Sequence, residues 1–388
     1  MLRNFRFFAF SLLMAFALSP ARAQQIGKYV PIDAGSDADH ALKAINAATD
    51  PAEKLALIDK FAAGPGAQGD MAIVADDLYV NYYLSQKNYD KAFEYGDKLF
   101  ALDPDNFNNA VNLVRAAAEK GDEEKLASYG EKAGAILERF KSAPPPSGTD
   151  ATKWEDGKRS TLRNNHDSIV YVQQLVYNGA YRSPDPSRRA ALLMRFAQAF
   201  PDSDYAVPAM GVAATSYQQA QNTAKMLEVA NSLLARHPDD LGMLLLLSDY
   251  YSEKGEQLAK AEEYATKAAS LADSAQKPEG MSDEQWAREK ALQKGLALSA
   301  LGQINLQKKD SAQAIQNFQA AAPLLKGNDA SYGRNQYRLG FAYLNLKKVP
   351  EAREAFTEAA AVKGPYQQLA GEKLKSLPAT PARRKRPA

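Results

Sequence analysis

The run Leu339–Gly340–Phe341–Ala342–Tyr343, followed by Ala352, Phe356 and Ala359, decides how the rest of the chain is read. Its alternation of small and large residues suits two antiparallel helices. Gly340, Ala352 and Ala359 let the helices approach, while Leu339, Tyr343 and Phe356 fill the space around the contact. So short a pair cannot bury its own apolar face and needs neighbours on either side.

Most of the chain supplies such neighbours. Residues 73–106 place Tyr83 and Ala92 in the corresponding slots and carry Pro104 near their end, and residues 107–140 follow with Leu113, Gly121 at the turn and Ala133. Residues 207–240 carry Tyr217 and Pro238 in register. Residues 241–275 carry Leu247, Ser248, Tyr251, Ala261 and Ala268, and residues 295–328 carry Leu301, Gly302, Ala314, Phe318 and Ala321. A longer period lies over this one. Asp50–Pro51 and Phe61–Ala62 recur 135 residues later as Asp185–Pro186 and Phe196–Ala197. Pro146, Gly148, Trp154 and Lys158 recur 132 residues later as Pro278, Gly280, Trp286 and Lys290. A duplicated block of three helical hairpins is expected.

The expected organisation is a signal peptide over 1–23, a loose leader over 24–36, blocks over 37–140 and 150–275, and a third over 282–377. Linkers at 141–149 and 276–281 join the blocks, and a disordered basic tail covers 378–388. The third block holds two hairpins and a capping helix near Tyr366–Leu377, as the exposed end of a helical stack requires. Asp50, Pro51 and Glu53 form a helix start, and Ser282 with Gln285 and Asp310 with Gln313 have capping-box spacing. The helices that carry the two tryptophans are expected to be long, over Asp150–Asn178 and Ser282–Gln307. No proline interrupts either run, and an isolated glycine costs a helix only about 1 kcal/mol.

These residues resemble the tetratricopeptide repeat (TPR) superfamily over about 37–366, and the run Phe200–Ala206 resembles a helix-end segment common in its periplasmic members. The resemblance implies an all-α, right-handed superhelical TPR-like solenoid of about eight hairpins, whose inner groove binds a protein or peptide. The family lines that groove with fixed positions of each leading helix. Here those positions include Asp77, Asn81, Arg115, Glu119, Thr215, Gln218, Asp249, Glu253, Ser299, Gln303, Tyr337 and Phe341. Asn81 and Asn112 match the two asparagines with which some members clamp a C-terminal carboxylate. The lysine position of that clamp is Asp77, whose charge would repel a carboxylate.

Composition narrows the rest. With 388 residues, 45% hydrophobic and 24% charged, the chain suits a globular or solenoid protein. It has no cysteine, which excludes disulfides, thiolate metal sites and a lipidated N-terminal cysteine. Arg3 and Arg6, the apolar run Phe7–Leu18, Pro20 and the Ala21–Arg22–Ala23 cleavage pattern read as a secretory signal. Loss of the three arginines takes the formal charge from +2 to −1, which does not suggest a nucleic-acid partner. His40, His166 and His237 have no ligand spacing, and no catalytic or phosphate-binding motif is present. No cofactor, metal or catalytic residue is expected, and no transmembrane segment in the mature chain. The reading is a non-enzymatic binding scaffold of the periplasm or cell envelope. The alternatives are an envelope enzyme subunit acting on glycan or peptide, which needs a carboxylate pair in a cleft, and weak membrane-surface contact through Arg383, Arg384, Lys385 and Arg386.

Overall fold

The computed structural model describes residues 25–378. The expected signal peptide and all but the first residue of the basic tail lie outside the described residues. Among those described, the regular elements are eighteen α-helices in sequential antiparallel packing.

The chain divides into two compact units at Val212/Ala213. The first holds α1 (Asp37–Ala47), α2 (Pro51–Ala63), α3 (Met71–Ser85), α4 (Tyr89–Leu102), α5 (Phe107–Lys120), α6 (Glu123–Ser142), α7 (Ala151–Asn164), α8 (His166–Arg182) and α9 (Pro186–Ala199). The division falls within α10 (Ala206–Gln219). The second unit continues with α11 (Thr223–Arg236), α12 (Leu241–Lys254), α13 (Leu258–Ser274), α14 (Asp283–Gln307), α15 (Ser311–Leu325), α16 (Asp329–Asn345), α17 (Val349–Ala361) and α18 (Tyr366–Ser376). Within each unit most helices pack on the next in sequence. Leading helices also lie side by side, α3 and α8 flanking α5 in the first unit, and α12 and α16 flanking α14 in the second.

Local chemistry sets these boundaries. Asp50 accepts from the Glu53 amide at 2.8 Å and Asp185 from the Arg188 amide at 2.6 Å, each with proline at the first helical position. The paired Phe61 and Phe196 are both buried. The close approach expected at Gly340 is real, since a Cβ there would stand 2.6 Å from the Phe356 ring. Ser282 and Gln285 form a reciprocal capping box, whereas Asp310 accepts from the Gln313 amide without the return bond.

The two connectors share one geometry. Gly148 and Gly280 both have φ +80°, inside turns closed by Thr149 N–H donating to Pro146 O and Met281 N–H to Pro278 O. Lys158 Nζ donates to Lys141 O at 2.8 Å and to Ala143 O at 3.0 Å, in the last turn and at the C-cap of α6. Lys290 donates in the same way to Asp273 O, at the end of α13. Trp154 Nε1 joins the first set by donating to Ala143 O at 3.0 Å.

The copies part company after this point. α14 runs unbroken to Gln307, as expected, but the Trp154 helix does not reach Asn178 in one piece. It breaks at Asn165, where φ −97° and ψ 4° leave the helical region. The cause is the Asn164–Asn165 pair, whose short amides compete for backbone bonds; Asn165 Nδ2 donates to Thr161 O at 2.9 Å. The second copy has Leu296–Ala297 there and continues.

The leader also differs from expectation, because it is tied down at its start. Ile26 is 3% exposed and its carbonyl accepts from the Phe107 amide at 3.1 Å. The Lys28 amide donates to Asp103 Oδ2 at 2.9 Å. Between them Gly27 has φ +120°, where a Cβ would meet Asp103 Oδ2 at 2.8 Å.

Candidate functional site

The sequence-derived groove positions meet different fates. In the second unit, most of those on α12, α14 and α16 are consumed internally. Asp249 on α12 accepts from Arg334 Nη1 on α16 at 2.9 Å, and Glu253 pairs with Arg338, which is 6% exposed. Burial holds the Arg338 guanidinium below its ordinary pKa, and Asp249 works against that shift. Ser299 on α14 is 1% exposed, and its Oγ has no hydrogen-bond partner. Gln303 is half-buried. Tyr337 and Phe341 meet edge-on at 5.0 Å and pack edge-on against Phe356 at 5.6 and 5.4 Å, and Tyr366 of α18 lies 5.2 Å from Tyr337. These two aromatics belong to the core under the last helix, not to an open groove.

On α3, Asn81 Nδ2 donates to Asp77 Oδ2 at 3.0 Å and to Asp77 O at 2.9 Å. Burial pushes the Asp77 carboxyl up to about 6, with the Asn81 bond pulling the other way. Asn112 on α5 and Thr215 on α10 are half-buried, and Gln218 on α10 is exposed.

Arg115 and Glu119 are the two positions the fold gathers into a cleft. It has a volume of ≈ 400 Å³ and opens between α5, the start of α6, and α8. From α8 come Tyr171, Leu175, Asn178 and Arg182, spaced so that they fall on one helical face. Gly179 lies on the same face, where a Cβ would stand 2.3 Å from Leu126 Cδ2; its absence lets α8 settle against α6. Sequence slots miss these α8 residues because the helix belongs to the long leading segment of its block, outside the 34-residue frame.

The cleft has a defined charge pattern. Glu119 Oε2 accepts from Tyr89 OH at 2.9 Å. Glu123 accepts from Arg188 Nε at 2.7 Å and from Ser183 Oγ at 3.2 Å. No carboxylate among the described residues pairs with Arg115 or Arg182. The Tyr171 ring is 39% exposed, and its hydroxyl pKa is raised by burial, against the lowering effect of Arg115. Two unpaired guanidiniums, an amide and an aliphatic wall of Leu126 and Leu175 suit non-covalent binding. Among the described residues, no cluster of histidine, aspartate or glutamate is placed to hold a metal ion, and no helix is long and apolar enough to cross a membrane.

No protein-family model and no curated protein matches the chain. Solved structures do. Yeast Tom70 is similar at 10% identity and TM-score 0.37, over 90% of this chain and 66% of that one. NprR in complex with its cognate peptide NprX is similar at 15% identity and TM-score 0.31, over 87% and 80%. The human IFIT1 dimer with PPP-AAAA is similar at 16% identity and TM-score 0.28, over 80% and 79%. The architecture that the chain's own helices show is an all-α stack of sequentially packed antiparallel helices. At such identities and scores no ligand class passes from those proteins to this one.

Proposed function

We propose that this protein is a non-enzymatic adaptor of the cell envelope that holds a protein or peptide ligand against the leading helices of its first unit. One observation carries the reading: the α5–α6–α8 cleft, where Arg115 and Arg182 stand without an ion-pair partner among the described residues, beside the half-open Tyr171 ring. A guanidinium on the way out of water gains most from a carboxylate or carbonyl partner, and arginine and tyrosine dominate binding hot spots. The basic n-region, the short apolar run and Ala21–Arg22–Ala23 support the envelope location. The TPR resemblance supports binding over catalysis. The groove carboxylates also suit a binding role, because Asp249, Glu253 and Glu119 are each already engaged by an arginine or a tyrosine.

A photo-crosslinking residue in place of Tyr171, expressed in the full chain in cells, tests this. The expected result is a discrete cross-linked species in the envelope fraction that saturates with expression and vanishes with Arg115→Glu. Labelling that is absent, or indifferent to Arg115→Glu, overturns the proposal.

A further inference from the structure

We infer that the α5–α6–α8 cleft takes an extended peptide segment with two side-chain carboxylates about five residues apart, one for Arg115 and one for Arg182. The inference rests on the peptide-binding reading above and specifies its ligand.

The spacing comes from α8. Arg115 on α5 and Tyr171 on α8 line the same cleft, and the charges of Arg115 and Glu119 both reach the Tyr171 hydroxyl, while Arg182 lies eleven residues further along α8. At 1.5 Å per residue the two ends are about 16 Å apart, which an extended chain spans in about five residues. Carboxylates fit because each arginine is a planar, always-charged fork that pairs with them through two parallel hydrogen bonds, and neither has such a partner among the described residues. A peptide backbone fits what lies between. Asn178 offers both a donor and an acceptor, Glu119 retains acceptor capacity beyond its bond to Tyr89, and Leu126 with Leu175 forms an aliphatic wall for the intervening side chains. A nucleic-acid backbone fits poorly. Its closely spaced phosphates would run past Glu119 and Glu123, both of which line the cleft.

Fluorescence anisotropy on the full mature chain tests this. The probes are fluorescein-labelled, C-terminally amidated peptides with two glutamates three to six residues apart and leucine between them, matched glutamine peptides, glutamine peptides with a free C-terminus, and a short oligo(U) RNA. The glutamate peptides are expected to bind at least about tenfold more tightly than the glutamine peptides, with an optimum near five residues. Arg115→Gln and Arg182→Gln are each expected to cost about tenfold, and Arg115→Lys less. Neither arginine has an ion pair to lose among the described residues, and unchanged circular dichroism checks that the variants fold. Equal binding of glutamate and glutamine peptides overturns the charge assignment while leaving the peptide-binding reading intact. Preference for a single free C-terminus, or for the RNA, replaces the ligand proposed here. Failure of every probe overturns the inference, and the Tyr171 cross-link then decides the broader reading separately.

Discussion

Gly134 on α6 faces the end of α9, where an added Cβ would stand 2.2 Å from the Ala199 carbonyl oxygen and 2.9 Å from its carbon. Gly134→Ala therefore sets two effects against each other. Alanine is favoured over glycine within a helix by about 1 kcal/mol. Ordinary Cβ···O contact needs roughly 1 Å more than this site provides, and the obstacle is backbone, so α6 and α9 must separate. Overpacking a well-filled interface costs about 1–3 kcal/mol, and a backbone obstacle belongs at the upper end. The net expectation is a loss of about 1–2 kcal/mol, or a fall in Tm of roughly 2–8 °C for a unit this size. The two tryptophans provide the assay, since Trp154 lies in the first unit and Trp286 in the second. In a Trp286→Phe background the remaining fluorescence reports the unit that holds Gly134. Gly371→Ala is the control. That glycine sits within α18, and a methyl group added to it meets nothing within 4 Å, so the same substitution is expected to stabilise by about 1 kcal/mol when read through Trp286 in a Trp154→Phe background. A Tm for Gly134→Ala at or above that of its parent refutes the packing argument.

Three further outcomes follow from the contacts described. Lys158→Met strips two carbonyls of a buried donor and is expected to cost about 2 kcal/mol in urea unfolding, against less than about 1 kcal/mol for Lys290→Met, which loses one bond; equal costs count against the capping role. Asp77 has a folded pKa near 6, above its ordinary 3.8, so the native state binds the extra proton and stability falls as pH rises through that window. Asp77→Asn is thus expected to raise the first unit's Tm by about 2–4 °C at pH 7.5, with the gain fading towards pH 4; a gain constant with pH sinks this account. Glu253→Gln removes one of the two carboxylates that act on the buried Arg338, leaving only the more distant influence of Asp249, and is expected to destabilise the second unit by about 2 kcal/mol, to be checked by urea melts read through Trp286.

The sequence discloses what is local. Asp50 and Pro51 announce a helix start, and Gly340 and Phe356 announce a close approach, because the physical demand and the residues that meet it lie within one hairpin. The break at Asn165 is harder to see. A single asparagine inside a helix is cheap, and only the Asn164–Asn165 pair, set against Leu296–Ala297 in the other copy, tips the balance. Ile26 gives no sign of burial, since one apolar residue among glycine and proline has no period. In the cleft, Arg115 and Glu119 follow from repeat slots, whereas Tyr171, Asn178 and Arg182 are visible only as a stripe along a helix outside those slots. The engagement of Asp249 by Arg334, across 85 residues, has no local signature at all.

That separation bears on the time course of folding. Most packing in the second unit joins consecutive helices, so it assembles from neighbours at little cost in chain closure. The bonds from α12 to α16 cannot form until α13, α14 and α15 are in place between them. They therefore add little to the barrier for assembly and nearly all their strength to the barrier for escape. Glu253→Gln should leave the refolding rate almost untouched and, at about 2 kcal/mol, speed unfolding by about thirtyfold. The α12–α16 ion pairs act as a latch: they set how long the second unit stays folded, not how quickly it gets there.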